Sequence, residues 1–132
     1  MSNINPEKFS QPVAEFLQVL SSPARIAIIV AIGHGESCVC HLESILGWRQ
    51  AYISQHLMAL RKANLLKDRR YGRFMYYSLV NPDILNVIRL AAETCKIDPA
   101  EIDDATNPDP GPNCECPNCA IPIIPTLEAK ER

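Results

Sequence analysis

The residues best equipped for chemistry in this chain are its six cysteines, which fall in three places: Cys38-Val39-Cys40, a lone Cys95, and the close-set Cys114, Cys116 and Cys119. Thiolates are ligands for soft cations and nucleophiles in disulfide exchange. An even number of cysteines would suggest disulfides in a secreted protein, but Met1 to Ser10 is polar and lacks the apolar core of a signal peptide. The expectation is an unprocessed, cytoplasmic chain whose reduced thiols serve as ligands or redox groups. Cys116-Pro117-Asn118-Cys119 has the spacing of a dithiol redox pair. No strand–helix alternation surrounds it and no general base is paired with it, so enzyme activity is not expected. Core or interface filler is the expectation for Cys95. For Cys38 and Cys40 it is the alternative, since free cysteine often behaves as a small buried hydrophobe.

What these thiols can act on depends on the elements that carry them. Residues 5–20 form a first helix, with Phe9, Val13, Phe16, Leu17 and Leu20 in an apolar stripe at helical spacing. Ser22-Pro23 supplies an N-cap and first-turn pair for a second helix, apolar almost all round from Ile26 to Ile32 and ended by Gly33 and Gly35. Ser37 can cap a short third helix through Val39, Leu42, Ile45 and Leu46, stopped by Gly47. A fourth helix runs from about Arg49 to Ala63 with Ile53, Leu57 and Leu60 inward, and Asn64 suits the left-handed position after it. Leu65 to Leu79 fits two strands around a polar, glycine-containing turn, and Pro82 opens a last helix to about Lys96. From Asp98 onward the helical period is lost, and seven of the 11 prolines lie between Pro99 and Pro125. The division is residues 1–97 as one folded domain and residues 98–132 as a flexible, cysteine-containing tail.

Charge follows the same division. Residues 1–96 carry 11 Lys+Arg against 7 Asp+Glu, and residues 97–132 carry 2 against 8, so a net charge of −2 conceals a basic body and an acidic tail. Arg49, Arg61, Lys62, Lys67, Arg69, Arg70 and Arg73 are crowded together with Asp68 as the one acid among them. DNA phosphates respond to such a local patch and not to the total charge. The longest apolar run, Ile26 to Ile32, is far too short to span a bilayer, so no membrane partner is expected.

Short helix, tight turn at Gly47-Trp48, second helix and basic hairpin is the order of a winged helix-turn-helix, whose second helix lies in the major groove. Gln50, Tyr52, Ser54, Gln55 and His56 are the candidate readers on that helix, since Gln pairs with adenine edges and Ser and Tyr reach bases or phosphates. Arg69, Arg70 and Arg73 on the hairpin are the candidate contacts to backbone or minor groove of double-stranded operator DNA. The fold class expected is mainly α with a two-stranded β-hairpin wing, a winged helix-turn-helix followed by a Pro-rich acidic tail.

Residues from about 13 to 95 resemble the ArsR/SmtB family of arsenical- and metal-responsive winged-helix repressors. The resemblance rests on Leu20-Ser21-Ser22-Pro23-Ala24-Arg25, on Gln50-Ala51-Tyr52-Ile53-Ser54-Gln55-His56-Leu57 and on Tyr71-Gly72-Arg73-Phe74-Met75-Tyr76-Tyr77. It implies a homodimer with the first and last helices at the interface, a repressor that leaves its promoter when an inducer binds. Cys38-Val39-Cys40 resembles the family's Cys-Val-Cys box at the start of the third helix, which implies arsenite or antimonite, As(III)/Sb(III), or cadmium or lead, Cd(II) or Pb(II), as inducer.

Side chains two apart on a helix diverge by about 200°, so both sulfurs can hold one ion only if the first turn is frayed or distorted. A helix N-terminus is also expected to lower their pKa. The box often has a third cysteine where this chain has Glu43, so Cys114, Cys116 and Cys119 are the expected donors of further sulfur. The family's other site, for zinc or nickel on the last helix, reads Asn81, Asp83, Thr94 and Ile97 here, and is not expected. His34 and His41 flank the pair as auxiliary ligands or as surface and capping residues. The alternative to metal release is a thiol-redox or persulfide signal acting on the same fold.

Overall fold

The computed structural model describes residues 3–109, 111, 114 and 116. Six helices and three strands follow in the order α1 (Glu7–Leu20), α2 (Pro23–Ile32), β1 (Ser37–Cys38), α3 (Val39–Leu46), α4 (Gln50–Lys62), β2 (Leu66–Tyr71), β3 (Phe74–Leu79), α5 (Asp83–Thr94) and α6 (Pro99–Asp104). Helix α2 is the centre of the core. Ser22 Oγ caps it by accepting from the Arg25 N–H at 3.4 Å, Pro23 stands in its first turn, and Gly33 (φ 60°) ends it. Ile28, Ile29 and Ile32 are fully buried against Leu42 of α3, Ile53, Leu57 and Leu60 of α4, and Ile84, Leu85 and Ile88 of α5. Each such side chain contributes about 1.5–3 kcal/mol relative to exposure.

The left-handed position expected at Asn64 is present, at φ 63°, and Gly47, expected to stop α3, does so at φ 71°. Gly47 reverses the chain between α3 and α4, and Asn64 turns α4 into β2, where the Leu65 N–H bonds the Leu60 carbonyl. β2 and β3 pair antiparallel with Arg69 opposite Tyr76, around a turn at Gly72-Arg73 that Gly72 enters at φ 62°.

Three expectations give way. The wing is a three-stranded sheet in the order β1-β3-β2, because Ser37 and Cys38 extend and pair with Tyr77 and Tyr76. Ser37 therefore lies in a strand, and Cys38 is the N-cap of α3, its Sγ accepting from the His41 N–H at 3.4 Å. The third difference lies beyond Asp98, where α6 interrupts the stretch read as a tail without helical period. Asp98 Oδ1 caps it through the Ala100 N–H (3.0 Å), Pro99 sits at its start, and Ile102 packs on the main core. The Asp-Pro start signal was present in the sequence, but with one apolar residue in a single turn it carried no period to detect. Cys95, expected as filler, is an exposed cap of α5 in this protomer.

The apolar stripe of α1 is only partly covered. Phe9, Val13 and Leu17 are exposed, as are Val87 and Leu90 of α5, whereas Leu20 is buried. Among the described residues no single helix is long and apolar enough to cross a membrane. Leu57→Ala, which empties a fully buried site between α2 and α4, is expected to lower stability by about 2–5 kcal/mol, measured as a fall in the urea midpoint with unchanged slope.

Candidate metal centre and nucleic-acid interface

The thiols of Cys38, Cys40, Cys114 and Cys116 lie within 4.8 Å of one another. Cys38 Sγ is 2.9 Å from Cys40 Sγ and 3.6 Å from Cys114 Sγ, Cys40 Sγ is 2.7 Å from Cys114 Sγ, and Cys114 Sγ is 3.6 Å from Cys116 Sγ. Together with Tyr76, Cys38, Cys114 and Cys116 form a second buried cluster apart from the main core, flanked by Cys40 and Phe74. The obstacle foreseen for the pair is absent. Cys38 is extended (φ −88°, ψ 170°) at the end of β1 and only Cys40 is helical, so their side chains converge without any fraying of α3.

A tetrahedral thiolate site with bonds of about 2.3 Å has sulfur–sulfur edges of about 3.8 Å; two of these separations, at 3.6 Å, are close to that value and two, at 2.7 and 2.9 Å, are shorter. The donor set is all sulfur, which suits a soft cation. Burial pushes the Cys38 thiol well above its usual pKa, with the neighbouring Cys40 and Cys116 adding to the rise; the His41 N–H opposes it without prevailing. The lowering expected at a helix N-terminus is thus outweighed by desolvation. Cys119 lies outside the described residues. Glu43, at the place of the family's third cysteine, is not among the clustered groups, and His34 is exposed. His41 is buried beside the cluster and does not face solvent; burial lowers its pKa, and the neighbouring Pro108 backbone opposes that lowering.

Two braces tie this cluster to the rest of the domain. Cys38 pairs through β1 with Tyr76 of the wing, and Arg69 grips Glu36, the residue before β1, through two hydrogen bonds of 2.6 and 2.9 Å while its guanidinium lies 4.8 Å over the Tyr76 ring. The other brace is α3 itself, whose N-terminal turn contains Cys40 and whose Leu42 is packed in the core with α4. The sequence offered the second link through helix order. The first depends on a two-residue strand and was not legible.

On the opposite part of the domain, Gln50, Tyr52 and Gln55 of α4 are exposed and Ser54 is half-buried. Tyr52 is fixed edge-on between Trp48 (5.5 Å) and His56 (4.7 Å). His56 Nδ1 accepts from Arg25 Nε at 3.4 Å, so this ring braces α4 on α2 and is not presented freely to a phosphate. Burial, and then the charge of Arg25, hold it below its usual pKa. Of the three wing arginines, Arg70 and Arg73 are exposed at the tip, whereas Arg69 is occupied by Glu36. Arg61 is likewise engaged, with Asp68 at 2.9 Å. Sequence alone could not separate these arginines, because Glu36 is brought to Arg69 only by the folding of β1 onto the sheet.

A helix pair joined at Gly47, with an exposed polar face on its second helix and a hairpin tipped by two exposed arginines, defines a winged helix-turn-helix DNA-binding protein. The profile of the bacterial regulatory protein, arsR family, matches residues 22–68. The chain is 35% identical over 94 residues to the transcriptional repressor SmtB homolog of Synechocystis sp., covering 68% of this chain and 71% of that one. It therefore belongs to the ArsR/SmtB family of DNA-binding transcriptional regulators. It is also 34% identical over 79 residues to the cadmium resistance transcriptional regulatory protein CadC of Listeria innocua, covering 59% of this chain and 66% of CadC. The crystal structure of NolR from Sinorhizobium fredii superposes with a TM-score of 0.61 at 29% identity, over 74% of this chain and 99% of that one.

The uneven engagement of the arginines gives an ordered expectation for DNA titrations by fluorescence anisotropy. Arg70→Ala and Arg73→Ala should weaken binding to all sequences, and each should flatten the salt slope by about 0.9 for every phosphate left without its cation. Arg69→Ala should flatten it less and lower thermal stability instead, and Gln50→Ala or Gln55→Ala should relax preference at particular bases. Stability should also fall in mild acid. The folded pKa values of His41 and His56 are both lowered, so below about pH 6.5 the unfolded chain takes up protons that the folded chain refuses. The urea midpoint should be lower at pH 5.5 than at 7.5, with the difference reduced in His56→Gln.

Proposed function

We propose that this regulator is a homodimeric repressor released from double-stranded operator DNA when a thiophilic metal or metalloid engages Cys38, Cys40, Cys114 and Cys116. The observation that carries it is the convergence of four thiols from two distant stretches of chain on the junction of β1 and α3. As inducer the donor set fits cadmium or lead with three or four thiolates, and arsenite or antimonite with three; the name of the relative CadC is in keeping with the first pair. When bound, the ion would draw protons off the thiols and hold the sulfurs at fixed separations. The response of the chain follows from what the sulfurs are attached to. Cys38 moves with β1, and so with β3 and the wing; Cys40 moves with α3, which packs beside α4. A shift of either changes the spacing of the two surfaces that meet DNA.

The exposed residues Phe9, Val13 and Leu17 of α1 and Val87 and Leu90 of α5 support the homodimer, since a paired copy would remove them from water. Cys119 is retained as a further candidate ligand. The readers of DNA are Gln50, Tyr52, Ser54 and Gln55 on α4 with Arg70 and Arg73 on the wing; His56 and Arg69 support them from behind.

The test is a gel shift on the upstream promoter with reduced protein. Cadmium, lead or arsenite should release the wild type, with ultraviolet sulfur-to-metal absorption saturating at one ion per chain, and Cys38→Ser or Cys40→Ser should bind DNA but no longer release it. Indifference to all these ions under reducing conditions rules the proposal out. The 2.7 Å approach of Cys40 and Cys114 favours one second reading. An oxidant or persulfide would take two electrons from that pair and form a disulfide with loss of two protons. In that case an oxidant without metal releases DNA, and mass spectrometry finds the Cys40–Cys114 link.

A further inference from the structure

The tail reaches the thiol cluster along a seat that the body of the domain provides. Asn107 donates its backbone N–H to the Val30 carbonyl at the end of α2 (3.4 Å). Gly33 and Gly35 lie directly beneath this turn. A Cβ on Gly33 would overlap Thr106 Cγ2, and one on Gly35 would come within 3.1 Å of Asn107 Nδ2. The turn is closed on its own helix by Thr106 Oγ1, which donates to the Ile102 carbonyl at 2.7 Å. Before it, α6 is tied to α5 by Arg89 and Asp103 at 3.1 Å, with Ile102 against the core. After it, Pro108 lies by the buried ring of His41, whose backbone N–H donates to Cys38 Sγ at 3.4 Å.

Apart from the His41 N–H on Cys38 Sγ, these interactions do not involve the thiols. From Pro108 to Cys114 the chain has six residues, a reach of at most about 20 Å. A tail clasped at 106–108 therefore delivers its sulfurs to the cluster beside it at high effective concentration.

We infer that the Gly33–Gly35 turn, with His41, is a built seat for residues 106–108, which makes each chain's Cys114 and Cys116 act on its own Cys38 and Cys40. Gly33, Gly35, His41 and Asn107 are positioning residues. They touch no ion, and they fix whether the site has two sulfurs or four. The inference rests on the thiol site proposed above and adds its wiring. The two glycines do what larger residues could not: both keep clear the space that the 106–107 turn fills, and Gly33 also adopts a left-handed φ.

Two measurements test it, with cadmium as the probe. In the first, chains carrying Cys38→Ser with Cys40→Ser and chains carrying Cys114→Ser with Cys116→Ser are co-expressed with different tags and purified as mixed dimers. Such dimers should lack the four-thiolate absorption of the wild type; its recovery at half the sites would show that the tail serves the partner and would overturn the inference. In the second, Gly35→Leu should leave DNA affinity in the absence of metal unchanged. It should lower cadmium affinity roughly 10–100-fold, as removal of ligand-orienting groups does, and reduce the thiols protected from alkylation from four to two. Adding Asn107→Ala, which removes the amide that the new side chain meets, should restore part of both. A Gly35→Leu chain that still protects four thiols at wild-type affinity overturns the seat. Absence of cadmium–thiolate absorption in the wild type would instead remove the thiol site proposed above, which separates the two failures.

Discussion

Cys38 occupies the one position where strand pairing, helix capping and thiol clustering meet. Its backbone is the last residue of β1, its sulfur caps α3, and that sulfur lies among three other thiols. A residue extended enough to pair with Tyr76 presents its side chain to the helix that follows, and this brings it beside Cys40. The buried cluster that results stands apart from the main core, so the wing, the start of α3 and the tail are held together at this point by sulfur and Tyr76. An interaction between sulfurs is thereby placed in direct mechanical line with both DNA-facing elements.

The electrostatics of the domain are similarly local. A chain of net charge −2 has a basic body because 11 of its 13 Lys+Arg but only 7 of its 15 Asp+Glu lie in residues 1–96. Within the basic half, pairing sorts the cations by role. Arg69 and Arg61 are neutralised by Glu36 and Asp68, ion pairs at the partly exposed surface whose individual worth is about 0–1 kcal/mol. Their effect lies mainly in geometry: one ties the wing to the segment entering the thiol cluster, the other ties the end of α4 to β2. Arg70 and Arg73 are exposed at the tip. The aromatic series Trp48, Tyr52 and His56, with Arg25 behind it, gives α4 a fixed orientation on the domain and sets the exposed Gln50 and Gln55 relative to the wing.

Most of the architecture was legible in the chain because its signals are local. Ser22-Pro23, Gly33, Gly47 and Asn64 mark helix boundaries through caps and positive φ, and the apolar spacing of α2 and α4 marks their buried faces. The features that escaped are those too short to have a period. β1 has two residues and exists only because β3 lies alongside it; α6 has six and depends on α5 and the core. The site was legible as a set of residue types but not as a geometry. The divergence expected for Cys38 and Cys40 assumed that both were helical, and the expected lowering of their pKa gave weight to the helix terminus and none to burial.

By itself the sequence determined the helix-turn-helix, the hairpin with its basic tip, the thiol-bearing segments and the separation of acidic from basic halves, since each follows from neighbours within a few turns of chain. Only the tertiary structure decided that Arg69 and Arg61 are ion-paired, that His56 faces Arg25, and that Cys114 and Cys116 meet Cys38 and Cys40 across more than seventy residues. Those outcomes depend on Glu36, Arg25 and the Gly33–Gly35 turn being carried to distant partners. No local propensity encodes such meetings, because they arise when the packed core fixes where each segment's ends must lie.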